Sequence, residues 1–320
     1  MNQLFENWRI VVVGAGTQGH SIGQVFALNG FETTIVDQNQ SQLEKAEKMV
    51  ADNFATLISA GEVTPNAAKK ALERITFSNQ LASAASQANL VLEAVFENAE
   101  VKRSIFEELN RVCPLDTILA SNTSALNIFE IVNVSNPGRL VIAHWCTPPH
   151  IMPLVEIVRG PLTSDQTVDL MKALLLKVGK KPAIVNKCIP GFILNRIGQA
   201  IFREACYIVE QGWSTPEDVD EAFKGTYGIR WPFEGPLELR DHIGWDVSLK
   251  VGSFVIPHLC NSTEPIGPSV ELCEKGWLGV KTGRGLKDYS QVDVAQIQKE
   301  RTMKILKMIK AVRELNKGES

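Results

Sequence analysis

A histidine and a glutamate stand in two neighbouring apolar segments, and together they could move a proton. His144 follows the segment Leu140–Ala143, and Glu156 interrupts the segment Leu154–Val158. A buried carboxylate is costly without a partner, and His144 is the nearest candidate along the chain. A carboxylate that orients an imidazole suits proton abstraction from an alcohol. A structural histidine, or a glutamate bound by arginine or backbone donors, is the alternative, and His150 in a proline-rich loop is the rival base.

Polar side chains also follow the predicted strand Thr117–Ala120. In the segment Ser121-Asn122-Thr123-Ser124 the hydroxyls and the amide could bind a substrate oxygen and a nicotinamide. The same residue types cap helices and form turns, so both interpretations remain open here.

A glycine-rich segment, Gly14-Ala15-Gly16-Thr17-Gln18-Gly19, separates the first predicted strand from the first predicted helix. In that context the glycines permit a tight turn, a close approach to a pyrophosphate and close packing of helix on strand. Asp37 ends the next strand, where a carboxylate binds ribose hydroxyls and repels a 2′-phosphate. Residues 38–40 supply no arginine to receive such a phosphate. The pattern predicts NAD rather than NADP, with a structural loop and a helix-capping aspartate as the alternative.

The elements that must position these residues alternate between strand and helix over the first 188 residues. Helical patterns cover about 40–60, Ala99–Val112 and Asp165–Val178, and Thr64-Pro65 signals another helix start. Thr163 and Gln166 form a capping-box pattern. The predicted strands are Arg9–Val13, Phe31–Val36, Arg74–Phe77, Leu90–Val95, Thr117–Ala120, Leu140–Ala143 and Leu154–Val158.

Beyond residue 190 the chain has helical patterns, with Gly/Pro loops and no convincing strand. A long amphipathic helix is predicted from Pro190 to Gln211, and Thr215-Pro216 opens the next. We therefore predict an α/β fold: a Rossmann-type, doubly wound, mostly parallel sheet in residues 1–188, followed by an all-helical domain in residues 189–320.

Composition narrows the class of protein. The 320 residues are 44% hydrophobic and 22% charged, which is typical of a folded chain of about two domains. A net charge of -3 gives no indication of a nucleic-acid partner. No run of 18 apolar residues predicts a membrane span, and the N-terminus lacks a signal-peptide pattern. The six cysteines and five histidines are scattered, so the sequence predicts no metal site. Isolated thiols suit a reducing cytoplasm.

Several ordered blocks of the sequence resemble the L-3-hydroxyacyl-CoA dehydrogenase family over nearly the full length. The resemblance implies an NAD-dependent oxidoreductase of fatty acid metabolism that interconverts L-3-hydroxyacyl-CoA and 3-ketoacyl-CoA. It also implies a homodimer built through the helical domain. The blocks are GAGTQG at 14–19, LEAVFENAEVK at 92–102, SNTSAL at 121–126, HWCTPPHIMPLVEIV at 144–158, PGFILNR at 190–196 and LGVKTGRG at 278–285.

The same resemblance implies roles for individual residues. His144 would be the catalytic base and Glu156 its partner, while Ser124 would contact cofactor and substrate. Asn195 would help to hold the substrate carbonyl, although by its pattern alone it lies on the polar face of a helix. The glycine-rich pattern, the polar segment after the strand Thr117–Ala120 and the resemblance together give the predicted cofactor-binding set: Gly14, Ala15, Gly16, Thr17, Gln18, Gly19, Asp37, Glu97, Lys102, Asn122, Ser124 and Thr147.

Departures from the family pattern bear on the substrate. Thr147 replaces an asparagine that touches the nicotinamide end, and the C-terminal loop reads GRGLKDY instead of ending in Phe-Tyr. The segment GIRWPFEGPLE at 228–238 resembles the λ-crystallin/L-gulonate dehydrogenase and carnitine dehydrogenase branches. Its Arg230 could bind a free carboxylate or be a surface or dimer-interface arginine. The alternatives to a CoA thioester are thus a free 3-hydroxy acid and, in another class, a non-catalytic crystallin-like or NAD-sensing protein.

Overall fold

An eight-stranded sheet is the centre of the first of two units, which are divided between Arg196 and Ile197. The computed structural model describes residues 4–316. Along the chain the strands are β1 Arg9–Val13, β2 Glu32–Val36, β3 Ile75–Ser78, β4 Leu90–Glu93, β5 Ile118–Ser121, β6 Leu140–Trp145, β7 Leu154–Val158 and β8 Lys181–Val185.

The strand order across the sheet is β3-β2-β1-β4-β5-β6-β7-β8. Strands β1 to β6 run parallel, β7 is antiparallel to β6, and β8 is parallel to β7. From β1 the chain builds the sheet first to one side, through β2 and β3, and then to the other side, from β4 onwards. Doubly wound sheets bind their ligands at the point where the strand order reverses in this way. The prediction of a doubly wound, mostly parallel sheet is confirmed.

Helices cover both faces of this sheet because its strands are apolar on both sides. Ile10 and Val12 of β1 share one core with the first and last helices, and Val11 and Val13 share the other with the middle ones. Near-continuous apolar strands are typical of sheets buried on both faces. The helices are α1 Gly19–Leu28, α2 Gln40–Ser59, α3 Pro65–Glu73, α4 Leu81–Ala85, α5 Ala99–Val112, α6 Ile128–Ile131 and α7 Asp165–Lys177.

Local details correct three of the sequence predictions. Strand β8 was missed, because Pro182 interrupts a short apolar run, and proline in a strand is tolerated at sheet edges. The cap of α7 is Ser164, whose hydroxyl accepts from the Thr167 N–H, whereas the Thr163 hydroxyl donates to the Leu140 carbonyl.

The third correction concerns the long helix predicted from Pro190. This helix, α8, spans Leu194–Glu210. It begins late because Gly191 and Phe192 have positive φ angles of 78° and 48°, which interrupt a helical path.

The second unit is helical in the part that the structure describes, residues 197–316. After the main part of α8 it contains α9 Pro216–Gly225, α10 Tyr227–Arg230, α11 Glu238–Ile243, α12 Trp245–Val255, α13 Pro268–Glu274 and α14 Val294–Leu315. Within 4–316, no helix has the length and apolar character that crossing a bilayer would demand. No group of acidic, histidine or cysteine side chains suited to a metal ion occurs in the same range.

Candidate active site

The antiparallel pairing of β6 with β7 sets His144 directly opposite Glu156. His144 Nδ1 lies 2.7 Å from Glu156 Oε2, and the carboxylate is fully buried. Its other oxygen, Oε1, accepts the backbone N–H groups of Ile193 at 2.8 Å and Leu194 at 2.9 Å. Burial alone would raise the pKa of Glu156, but the hydrogen bonds from His144, Leu194 and Ile193 hold that pKa below its usual value. The carboxylate is therefore ionised and fixes Nδ1–H, which leaves Nε2 for chemistry.

The other ring nitrogen of His144 faces a serine. Nε2 lies 3.1 Å from Ser124 Oγ, in the loop after β5. Asn195, in the first turn of α8, makes a long contact of 3.5 Å from Nδ2 to the Ser124 carbonyl oxygen. The structure thus gathers His144, Glu156, Ser124 and Asn195 in one place.

A carboxylate just before α5 holds the Ser124 loop. Glu97 Oε1 accepts the N–H groups of Ser124 and Ala125, both at 3.0 Å, and of Leu126 at 3.3 Å. The Thr123 hydroxyl donates to the same oxygen. Burial would raise the pKa of Glu97, yet these hydrogen bonds and the neighbouring ammonium of Lys102 hold it below its usual value. Glu97 therefore fixes the loop that carries Ser124.

Lys102 lies beneath this loop, fully buried. Its Nζ donates to both oxygens of Glu93, at 2.8 and 3.0 Å, and lies 3.2 Å from Glu97 Oε2. Ser121 Oγ also donates to Glu93, at 2.6 Å. Sequence reasoning missed Glu93, and it gave Ser121 as one of the hydroxyls that could bind a ligand, whereas the structure engages that hydroxyl with Glu93. The missed signal was an acid in an apolar strand, the same signal that singled out Glu156.

The glycine-rich loop between β1 and α1 fits a dinucleotide. A Cβ on Gly14 would lie 2.8 Å from the Ala94 carbonyl oxygen, and one on Gly19 would lie 1.7 Å from the Gly14 oxygen. At Gly16 an added Cβ would meet nothing within 4 Å, so space for a pyrophosphate is open there. Asp37 accepts the Ala15 N–H at 2.9 Å through Oδ2, which holds its carboxylate beside the loop, as a ribose ligand would require.

The remaining sequence-predicted residues lie in different surroundings. Gln18 donates its side-chain amide to the Thr147 hydroxyl. Asn122 Oδ1 accepts the Trp145 N–H at 2.8 Å, so its side chain ties the loop after β5 to β6. Arg230 belongs to the second unit, where it ends α10.

His150, the rival base, lies against α1 rather than beside Glu156. Its Nδ1 contacts the hydroxyl of Ser21. Burial, followed by the charges of His20 and Lys180, lowers the pKa of His150 to about 4. The ring is therefore neutral near pH 7, with Nδ1 engaged by a hydroxyl rather than a carboxylate.

A doubly wound sheet with this loop defines a dinucleotide-binding protein, and the histidine–carboxylate pair is suited to the oxidation of an alcohol. The chain matches the model of "3-hydroxyacyl-CoA dehydrogenase, NAD binding domain" over residues 9–188. It matches "3-hydroxyacyl-CoA dehydrogenase, C-terminal domain" over residues 191–289. The protein belongs to the 3-hydroxyacyl-CoA dehydrogenase family, and it is an NAD-dependent oxidoreductase. The resemblance seen in the sequence is confirmed.

Relatives of the chain divide by substrate. A probable 3-hydroxybutyryl-CoA dehydrogenase of Bacillus subtilis is 39% identical over 88% of this chain and 98% of its own. The 5-formyl-3-hydroxy-2-methylpyridine 4-carboxylate 5-dehydrogenase of Mesorhizobium japonicum is 32% identical over 97% of this chain and 98% of its own.

Solved structures divide in the same way. A crystal structure of the pyridine carboxylate 5-dehydrogenase, described as an NAD+ dependent dismutase, covers 95% of this chain and 98% of its own, with a TM-score of 0.87 and 30% identity. The (S)-3-hydroxybutyryl-CoA dehydrogenase PaaH1 of Ralstonia eutropha covers 88% and 99%, with a TM-score of 0.73 and 33% identity.

Proposed function

We propose that the protein interconverts L-3-hydroxyacyl-CoA and 3-ketoacyl-CoA, with His144 as the general base. The observation that carries this proposal is the chain of contacts from Glu156 through His144 to Ser124, at 2.7 and 3.1 Å. Bound NAD supplies the hydride acceptor. The protein's own task is to hold the hydroxyl group and to take its proton.

The proton moves from the substrate hydroxyl to His144 Nε2. Glu156 holds Nδ1–H and faces the charge that forms on the ring, which stabilises the imidazolium. Ser124 Oγ, beside Nε2, donates a hydrogen bond to the reacting oxygen. Asn195, whose amide lies near the Ser124 loop, donates to the neighbouring carbonyl of the substrate. Glu97 and Lys102 serve the site by fixing this loop beside the cofactor.

The relatives support two substrate classes. The matched family and the 3-hydroxybutyryl-CoA dehydrogenases support a thioester. The pyridine carboxylate dehydrogenase favours a free acid as the second candidate, because it covers 97% of this chain. By contrast, the family match ends at residue 289, before helix α14 begins. For a free acid, Arg230 is the cation that would pair with the carboxylate.

A homodimer through the helical unit is part of the same proposal. Large apolar side chains of this unit are exposed, including Phe254 at 75% and Leu249 at 72%. Large apolar side chains exposed to this degree are typical of an interface when they form a patch. A second copy that packs its helices against α12 would remove this surface from water.

The test is an NADH absorbance assay with acetoacetyl-CoA, longer 3-ketoacyl-CoA esters, carnitine, gulonate and the pyridine aldehyde-carboxylate. His144→Ala should lower kcat by about 10²–10⁴-fold on every accepted substrate, the usual contribution of general acid–base catalysis. NAD binding should stay near normal. Near-normal turnover by this variant would move the role of base elsewhere.

Arg230→Met separates the two substrate classes. With thioesters the variant should behave as the wild type, like the matched control Arg301→Met on α14. With a free acid, loss of a charge-assisted hydrogen bond should cost about 10–150-fold. CoA esters that are inert in the wild type, together with this loss on a free acid, would replace the thioester proposal by the free-acid one.

A further inference from the structure

One side-chain hydrogen bond joins the glycine-rich loop to the loop after His144. Gln18, at the N-cap position of α1, donates its Nε2 to the hydroxyl of Thr147. The Gln18 side chain does not cap the helix. Its Oε1 is buried and has no hydrogen-bond partner among residues 4–316. Of the two polar atoms of the Gln18 amide, Nε2 therefore has a hydrogen-bond partner among residues 4–316 and Oε1 has none.

An unpaired buried amide oxygen is costly, and buried polar atoms without partners are rare. The Thr147 hydroxyl can both donate and accept, so the Gln18 amide can flip its oxygen and nitrogen without losing this hydrogen bond. In either orientation one polar atom of Gln18 is left for a ligand. A primary carboxamide complements both cases, because it carries an N–H donor and a carbonyl acceptor.

The position of the pair selects one such group. Gln18 lies in the loop with the open space for a pyrophosphate, and Thr147 lies three residues beyond His144. A nicotinamide that receives hydride beside His144 would come close to these two loops, and its carboxamide is a primary amide. This step rests on the proposed function, since it takes His144 to mark the reacting carbon.

We propose that Gln18 binds the carboxamide of the nicotinamide and that Thr147 is a positioning residue that holds the Gln18 side chain in place. The resemblance alone assigned the nicotinamide contact to Thr147. In the structure the Thr147 hydroxyl is engaged by Gln18, whose longer side chain offers the spare atom. Gln18 would thereby hold the carboxamide end of the nicotinamide.

Calorimetric binding of NAD and of ADP-ribose, without substrate, tests this proposal. ADP-ribose keeps the pyrophosphate and both riboses but lacks the nicotinamide. Gln18→Met should weaken NAD binding about tenfold, the usual effect of one lost hydrogen bond, and leave ADP-ribose binding unchanged. Gln166→Met, the same substitution at an exposed site of α7, should change neither affinity.

Thr147 variants separate holding from binding. Thr147→Val should weaken NAD in the same selective way, and Thr147→Ser, which keeps the hydroxyl, should restore it. If Thr147 acts through Gln18, the double variant Gln18→Met/Thr147→Val should bind NAD no more weakly than Gln18→Met alone.

Three results would overturn the proposal: unchanged NAD binding by Gln18→Met, equal weakening of NAD and ADP-ribose, or additive losses in the double variant. Because no substrate is present, none of these results bears on the role of His144. Failure of the proposed function would appear instead as near-normal turnover by His144→Ala.

Discussion

The two units of this protein bury their apolar side chains to very different degrees. In the first unit both faces of an eight-stranded sheet are covered, and Phe26, Phe106 and Trp145 are almost fully buried. Among residues 197–316 of the second unit, the buried hydrophobic side chains are Cys206, Leu239, Cys260 and Leu306. A core of this size cannot offset the conformational entropy of about 120 residues. The contrast indicates that the first unit holds its own fold, whereas the second needs a further surface to pack against.

Helix α12 illustrates the open side of the second unit. Trp245 and Leu249 are four residues apart, so they lie on one face of the helix, and both are more than half exposed. They line a groove of about 650 Å³ with residues that precede and follow the helix. The apolar side chains of this helix therefore remain about half exposed or more among the described residues.

Charging this face should produce the largest effect. Leu249→Asp should strongly weaken the proposed dimer, because it removes about 1.5–3 kcal/mol of leucine burial and adds the cost of a charge in an apolar interface. The dimer dissociation constant should rise by more than about 100-fold. Sedimentation equilibrium of the wild type and the variant measures this change.

Leu176→Asp is the matched control in the first unit. Leu176 lies on α7 and is 54% exposed, yet its unit has a closed core. This variant should assemble like the wild type. A monomeric wild type, or equal behaviour of the two variants, would remove the contrast between the units.

A smaller effect is expected within the closed unit, at the carboxylate that orients the base. Glu156→Gln keeps an acceptor for the N–H groups of Ile193 and Leu194 but removes the charge that faces His144. We expect kcat to fall about 10–100-fold, in line with a lost charge-assisted hydrogen bond. The acid limb of the pH–rate profile should move to lower pH, because the protonated ring loses its counter-charge.

The proposed dimer should be unaffected by Glu156→Gln, which separates chemistry in the first unit from assembly through the second. A kcat and a pH profile equal to those of the wild type would show that Glu156 has no part in proton transfer.

Much of the first unit could be predicted because its signals are local. Seven of the eight strands follow from short apolar runs, and Glu156 is conspicuous as an acid in such a run. Even so, the direct pairing of His144 with Glu156 depends on β7 running antiparallel to β6, which no spacing rule specifies. Strand β8 was missed because an edge strand with Pro182 lacks the apolar continuity of a central one.

The contacts that complete the site could not be predicted, since they join distant loops. Glu97 accepts three successive N–H groups of the Ser124 loop, which lies 27 residues further along the chain. Gln18 and Thr147 are 129 residues apart. Such contacts depend on which strand ends the sheet brings together, and neither residue type nor local sequence pattern predicts them.

The smallest effect concerns acid sensitivity, which we expect in the first unit through His150. The pKa of His150 is lowered to about 4 in the folded protein, first by burial and then by the charges of His20 and Lys180. Its ordinary value is 6.5, so the unfolded chain takes up the proton first as the pH falls. The contribution of His150 to the free energy of unfolding is therefore fully present above pH 6.5 and is lost as the pH falls from 6.5 towards 4.

Urea unfolding at pH 7 and pH 5 measures this loss in the wild type and in His150→Gln, which can still hydrogen-bond Ser21. The linkage between the two pKa values amounts to at most about 2 kcal/mol at pH 5, and partial exposure of the ring reduces it to about 1 kcal/mol. The variant should lose less stability than the wild type by that amount. The pKa of His20 is also lowered by burial, and His20 remains in both proteins, so the variant keeps a part of the acid sensitivity. Equal pH sensitivity of the two would mean that His150 is not held neutral against α1, and the first unit would then owe its acid response to other groups.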